Sequence, residues 1–179
     1  MDRIITIQFQ ELHRNTGVPI GRLEILKEWE YSEKQILDEF IRVSKAFDPY
    51  PFTFTPVGYD LNFVHNFLLE RCRRNGIPPI HLLKKPFIDL RAFGIIINRG
   101  EFKYSGIDRI TKKPVDEDAM RKWHSKREYN QVVKYVEREA DALTDFCAWL
   151  YKELPDFLRR YRHSRPKKAP QHTDGLVRR

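Results

Sequence analysis

Two cysteines, Cys72 and Cys147, are all that the 179 residues contain. That is too few for a disulfide framework, so the chain reads as suited to a reducing, cytoplasmic setting, with both thiols acting as small core hydrophobes. No apolar run approaches the ~18 residues of a membrane span, and the N-terminus lacks a signal peptide's apolar block, which predicts a soluble protein with no membrane partner. The glycine-rich phosphate loops GxGxxG and GxxxxGK are missing, as are GxSxG, HExxH and CxxC. Their absence removes the common nucleotide-cradling, serine-hydrolase and zinc signatures. The histidines at 13, 65, 81, 124, 163 and 172 never recur at ligand spacing.

What is present is a core. The chain is 41% hydrophobic, with Phe 12, Tyr 8 and Trp 3, and its length matches one domain of ~100–200 residues. Its net charge of +8 is unevenly placed: from Arg159 to Arg179, eight Lys or Arg residues face one acid, Asp174. The body before them is close to neutral. Residues 159–179 carry no apolar periodicity and contain Pro166 and Pro170, which predicts a disordered basic arm attached to a folded domain of residues 1–158. Arg159, Arg160, Arg162, Lys167 and Lys168 are its candidate nucleic-acid contacts, since such an arm attracts phosphate without regard to sequence.

Alternation at Ile5, Ile7 and Phe9 predicts a strand over 3–12, and Asn15-Thr16-Gly17 turns the chain into a second strand over 20–29. Ser32 and Gln35 form a capping box opening a helix, with Ile36, Leu37, Phe40, Ile41, Val43 and Phe47 on its core face. A third strand is expected over 52–59. A helix over 62–74 buries Phe63, Phe67 and Leu68 and stops at Asn75-Gly76. Residues 86–89 read as a short strand, 90–97 as a short helix or a continued apolar segment, and 100–120 as a long loop. A helix over 128–153 follows, stopped by Pro155. Two antiparallel strands leading into alternating helices and strands predict an α/β fold with a mixed sheet flanked by helices. Arg71, Arg73 and Arg74 are candidate phosphate contacts, although arginines at a helix C-terminus also compensate its dipole.

Two segments are more specific. One is PVGYDLNFVHNFL (56–68), a strand turning through Gly58 into a helix; the other is YVEREADALT (135–144), inside the last helix. At these, and at the hairpin opening DRIITIQF (2–9), the chain resembles the three-motif 3′–5′ exonucleases of the ribonuclease H-like superfamily. That superfamily includes the proofreading domain of B-family DNA polymerases. The resemblance spans roughly residues 2–158 and implies a ribonuclease H-like sheet. It further implies two-metal phosphodiester hydrolysis, in which carboxylates hold Mg²⁺ or Mn²⁺ ions ~3.5–4 Å apart. Tyr135 and Glu139, one helical turn apart, match the third motif, the tyrosine orienting water and the glutamate binding metal. Asp141, on the far side of that helix, reads as a surface charge.

The other two motifs are eroded. The acid of the second motif is replaced by Val64, which leaves Asp60, at the family's Asn position, as a substitute ligand or a helix cap. The Asp-x-Glu of the first motif, with its central strand, has no counterpart; Asp2, which opens the matching segment, is the one acid available there. The resemblance therefore implies a degenerate or N-terminally shortened nuclease that still binds DNA or RNA. The alternative is a non-catalytic module whose sheet is completed by a partner's strand or a second copy.

Overall fold

The computed structural model describes residues 3–98, 100 and 117–164. β1 (Thr6–Leu12) and β2 (Pro19–Lys27) pair antiparallel, Thr6 opposite Lys27 and Phe9 opposite Glu24, with an irregularity before Glu11 meets Ile20. At the turn between them Gly17 has φ +68°, and a Cβ there would meet the Tyr151 ring at 2.7 Å and the Cys147 carbonyl carbon at 3.1 Å. Only glycine fits both the left-handed backbone and the close approach.

α1 (Glu33–Ser44) opens with the expected capping box: the Ser32 hydroxyl accepts the Gln35 N–H, and the Gln35 side chain accepts the Ser32 N–H at 2.9 Å. Ile36, Leu37 and Phe40 are buried, but Val43 and Phe47 are exposed, contrary to the expected face. Val43 lies in the last turn, and the left-handed Lys45, at φ 50°, ends the helix before Phe47. The third strand is only β3 (Val57–Gly58), not 52–59. Pro51 and Pro56 have no N–H to give a ladder, and Thr53 N–H instead closes a turn onto the Tyr50 carbonyl.

α2 (Leu61–Arg74) begins one residue before its expected start. Phe63, expected in the core, is 65% exposed, because it lies opposite the Leu61, Leu68 and Cys72 stripe on a helix of 3.6 residues per turn. A 3₁₀ turn (Leu82–Lys84), β4 (Ile88–Asp89) and α3 (Leu90–Ile97) follow. Of the expected loop over 100–120, residues 101–116 lie outside the described residues. Glu117–Met120 are helical, opening α4 (Glu117–Ser125).

α5 (Tyr129–Ser164) passes through Pro155 rather than stopping there. A proline frees only the carbonyl four residues earlier, here that of Tyr151, an exposed residue, so water can satisfy it. The first six residues of the expected disordered arm, 159–164, are thus helical; the rest of it lies outside the described residues.

The architecture is α/β, with the sheet in two pieces: β1–β2 antiparallel and β3–β4 parallel, joined by no strand among the described residues. Ile7, Phe9 and Leu26 of the hairpin pack against Ile36, Leu37 and Phe40 of α1 and Leu68 and Cys72 of α2. Leu12, of the opposite strand parity, joins Val57 and Ile88 against Phe146, Cys147 and Leu150 of α5. The hairpin therefore meets α1 and α2 through Ile7, Phe9 and Leu26, and the α5 cluster through Leu12. Among the described residues no helix is long and apolar enough to cross a membrane.

Candidate functional site

The parallel pair β3–β4 sends both strands directly into helices, so the starts of α2 and α3 meet at its carboxyl end. That is where open parallel sheets present ligand sites. Gly58 permits the sharp exit from β3, since a Cβ there would lie 2.8 Å from the Leu61 side chain. Asp60 follows in the left-handed conformation, φ 54°, at the N-cap of α2, yet makes no side-chain cap. Its carboxylate instead forms an ion pair with the Arg91 guanidinium.

Asp89 supplies the missing cap. Its two carboxylate oxygens accept the N–H of Asp60 at 3.1 Å and of Leu61 at 3.0 Å, and one of them also accepts the N–H of Arg91 at 2.9 Å. One carboxylate thus caps two helices. The sequence carries a signal for this residue, an aspartate directly before an apolar helical run, but the strand reading of 86–89 obscured it.

Tyr135 and Glu139 are half-buried on α5, at the rim of the buried stripe Val132, Val136, Ala140, Cys147 and Leu150, and Asp141 is exposed. The Tyr135 ring lies 6.1 Å from that of Trp123. Among the described residues no three histidine, cysteine or acidic side chains come together as a metal site. The donor set does not suit Mg²⁺ or Mn²⁺ either: Asp60 already faces a guanidinium, and Asp89 is saturated by backbone donors. A hard divalent ion needs several oxygen ligands free of competing cations.

The basic candidates separate by environment. Arg71 is 8% exposed and does not present its guanidinium to a phosphate. It makes a two-pronged pair with Glu33, Nε to Oε1 at 2.7 Å with the second prong through Nη2, and Glu33 also accepts Asn75 and the Ile4 N–H, each at 2.9 Å. Burial raises the Glu33 pKa, but the hydrogen bonds from Arg71, Ile4 and Asn75 outweigh it and lower it to about 2. Arg73 and Arg74 lie on the surface, both bonded to Glu70, whose pKa they hold at about 2. Arg159 pairs with Asp156 at 3.2 Å, Arg160 is exposed, and Arg162 is in the last turns of α5. Lys167 and Lys168 lie outside the described residues.

The thiols behave as structural groups. Cys72 and Cys147 are buried, and burial raises both pKa values, that of Cys147 to about 11. The fold also pairs two histidines that the sequence keeps apart: the His65 and His81 rings are 6.1 Å apart. Comparison with family models, curated proteins and solved structures gives no match to this chain.

Proposed function

We propose that this chain is a ribonuclease H-like domain of exonuclease descent that binds nucleic acid and has lost the two-metal reaction. The reading is supported by element order, by the helices packed against the strands in two clusters, and by the Tyr135–Glu139 pair at the edge of the core. The observation that carries it is the Asp60–Arg91 ion pair at the carboxyl end of the parallel strands. Where the resemblance implies metal ions, a guanidinium is present, a fixed cation with donors that suit a phosphate. Arg91 offers this charge at the start of α3, whereas Arg73 and Arg74 lie in the last turn of α2, at its other end.

Binding of a fluorescent oligonucleotide, followed by anisotropy, tests this. Affinity should fall steeply between 50 and 200 mM salt, on the order of tenfold for every few phosphates contacted, and should be indifferent to EDTA. Mn²⁺-dependent shortening of the 3′ end by the wild type, abolished in Glu139→Ala, would overturn the loss of catalysis.

A second reading has its own observation. The Glu28 N–H donates to the Ile5 carbonyl at 3.0 Å, so Ile5, Ile7 and Phe9 bond toward β2, and alternation turns the backbone groups of Thr6 and Gln8 to the opposite edge. Among the described residues no strand covers that edge. A module that completes its sheet with a partner's strand or a second copy would use it. Concentration-dependent dimerisation, disrupted by Gln8→Pro, is the expected sign.

A further inference from the structure

We infer that the loop from Asp48 to Phe52 is a stacking platform for unpaired bases, a surface separate from the Asp60–Arg91 end of the strands. The inference rests on the nucleic-acid reading above and assigns it a place and a strand state.

The loop is ordered with unusual thoroughness for one that buries so little. Pro49 and Pro51 fix the backbone on either side of Tyr50. The Asp48 N–H donates to the Lys45 carbonyl at 2.9 Å, and the Asp48 carboxylate accepts the Tyr50 N–H at 2.8 Å, closing an Asx turn. From across the fold, the Lys85 ammonium donates to the Asp48 carbonyl at 2.8 Å and reaches that of Tyr50 at 3.5 Å. Two residues on, Phe54 leaves the loop and packs edge-on against Phe40 in the core.

All this order presents two rings to water. Tyr50 is 62% and Phe52 65% exposed, with centroids 5.7 Å apart. Exposed aromatic rings held rigid offer π-faces to a ligand at little entropic cost. Basic residues adjoin the loop: the exposed Lys45 takes the Asp48 N–H on its carbonyl, and Lys85, which holds two loop carbonyls, follows the exposed Lys84 in the chain. Flat rings bordered by ammonium groups suit a single strand, whose bases are free to stack while its phosphates meet the lysines. A duplex hides its base faces. The loop precedes β3 and therefore lies at the amino end of the parallel pair, whereas Asp60 and Asp89 lie at the carboxyl end.

The test uses the full chain with a fluorescein-labelled ten-nucleotide oligo-dT and a duplex of the same length, by anisotropy at low salt. Tyr50→Ala/Phe52→Ala should bind oligo-dT about tenfold or more weakly, since stacking on an aromatic contributes ~1–3 kcal/mol per base. Its duplex binding should not change, and Tyr50→Phe/Phe52→Tyr should retain wild-type affinity for oligo-dT. Equal oligo-dT binding by the double alanine variant and the wild type overturns the platform and leaves the proposed function standing. Failure of the wild type to bind either probe overturns both.

Discussion

Two of the carboxylate–guanidinium pairs that join distant segments of this molecule, Glu33–Arg71 and Asp60–Arg91, are built on opposite terms. Glu33–Arg71 is enclosed, its side chains 17% and 9% exposed, and both residues sit within α-helices. Asp60–Arg91 is about a third open, 33% and 29%, and rests on a left-handed aspartate whose helix must be capped by Asp89. The first knits residue 4, α1 and the end of α2 into one unit. The second leaves a charged, partly hydrated constellation at a strand end, with one member held in the left-handed region. An identical pair of chemical groups is therefore structural in one place and a candidate for recognition in the other.

The sharpest way to break the comparison is Glu33→Gln. It leaves the Arg71 guanidinium buried without its counter-charge and should destabilise by ~3–5 kcal/mol, read as a lower urea midpoint at an unchanged slope. Acid acts on the same group. Because the folded Glu33 pKa, about 2, lies below the usual 4.5, the unfolded chain binds the proton more readily. Its contribution is complete above pH 4.5 and disappears as pH falls toward 2, on the order of 3 kcal/mol. Glu33→Gln should flatten that part of the pH–stability curve.

At the second pair the expected effects are smaller and depend on the replacement. Asp60→Ala loses a half-open ion pair and keeps a positive φ without glycine's freedom, a cost of ~1–2 kcal/mol by thermal unfolding. Asp60→Gly relieves the backbone and should remain within ~1 kcal/mol of wild type. The smallest change belongs to Tyr50→Ala/Phe52→Ala, whose rings bury little. Its unfolding midpoint in urea should match wild type within ~0.5 kcal/mol, which separates any binding defect from a folding one.

Local signals carried much of this fold. The hairpin, the Ser32–Gln35 box, α3 and the rim position of Tyr135 and Glu139 were all legible, because each depends on residues within a turn or two of one another. What was not legible depends on distance. Arg71 reads as a surface cation until Glu33, 38 residues earlier, is known to face it. Asp60 reads as a cap until its φ shows why it cannot be one. Phe52 and Phe54 share strand parity, and nothing in the local pattern says that one ring is buried and the other exposed. Pro155 misled because a helix with a solvated carbonyl behind the proline can continue.

Gly17 has a consequence for assembly in time. The bend of the N-terminal hairpin is seated against Cys147 and Tyr151, some 130 residues downstream by the numbering. A ribosome releases the hairpin well before that seat exists, so the hairpin must wait, half-finished, for a segment made much later. Substituting Gly17 would therefore delay docking as well as weaken it, and the nascent hairpin would stay exposed to proteases and to other unfinished chains for longer.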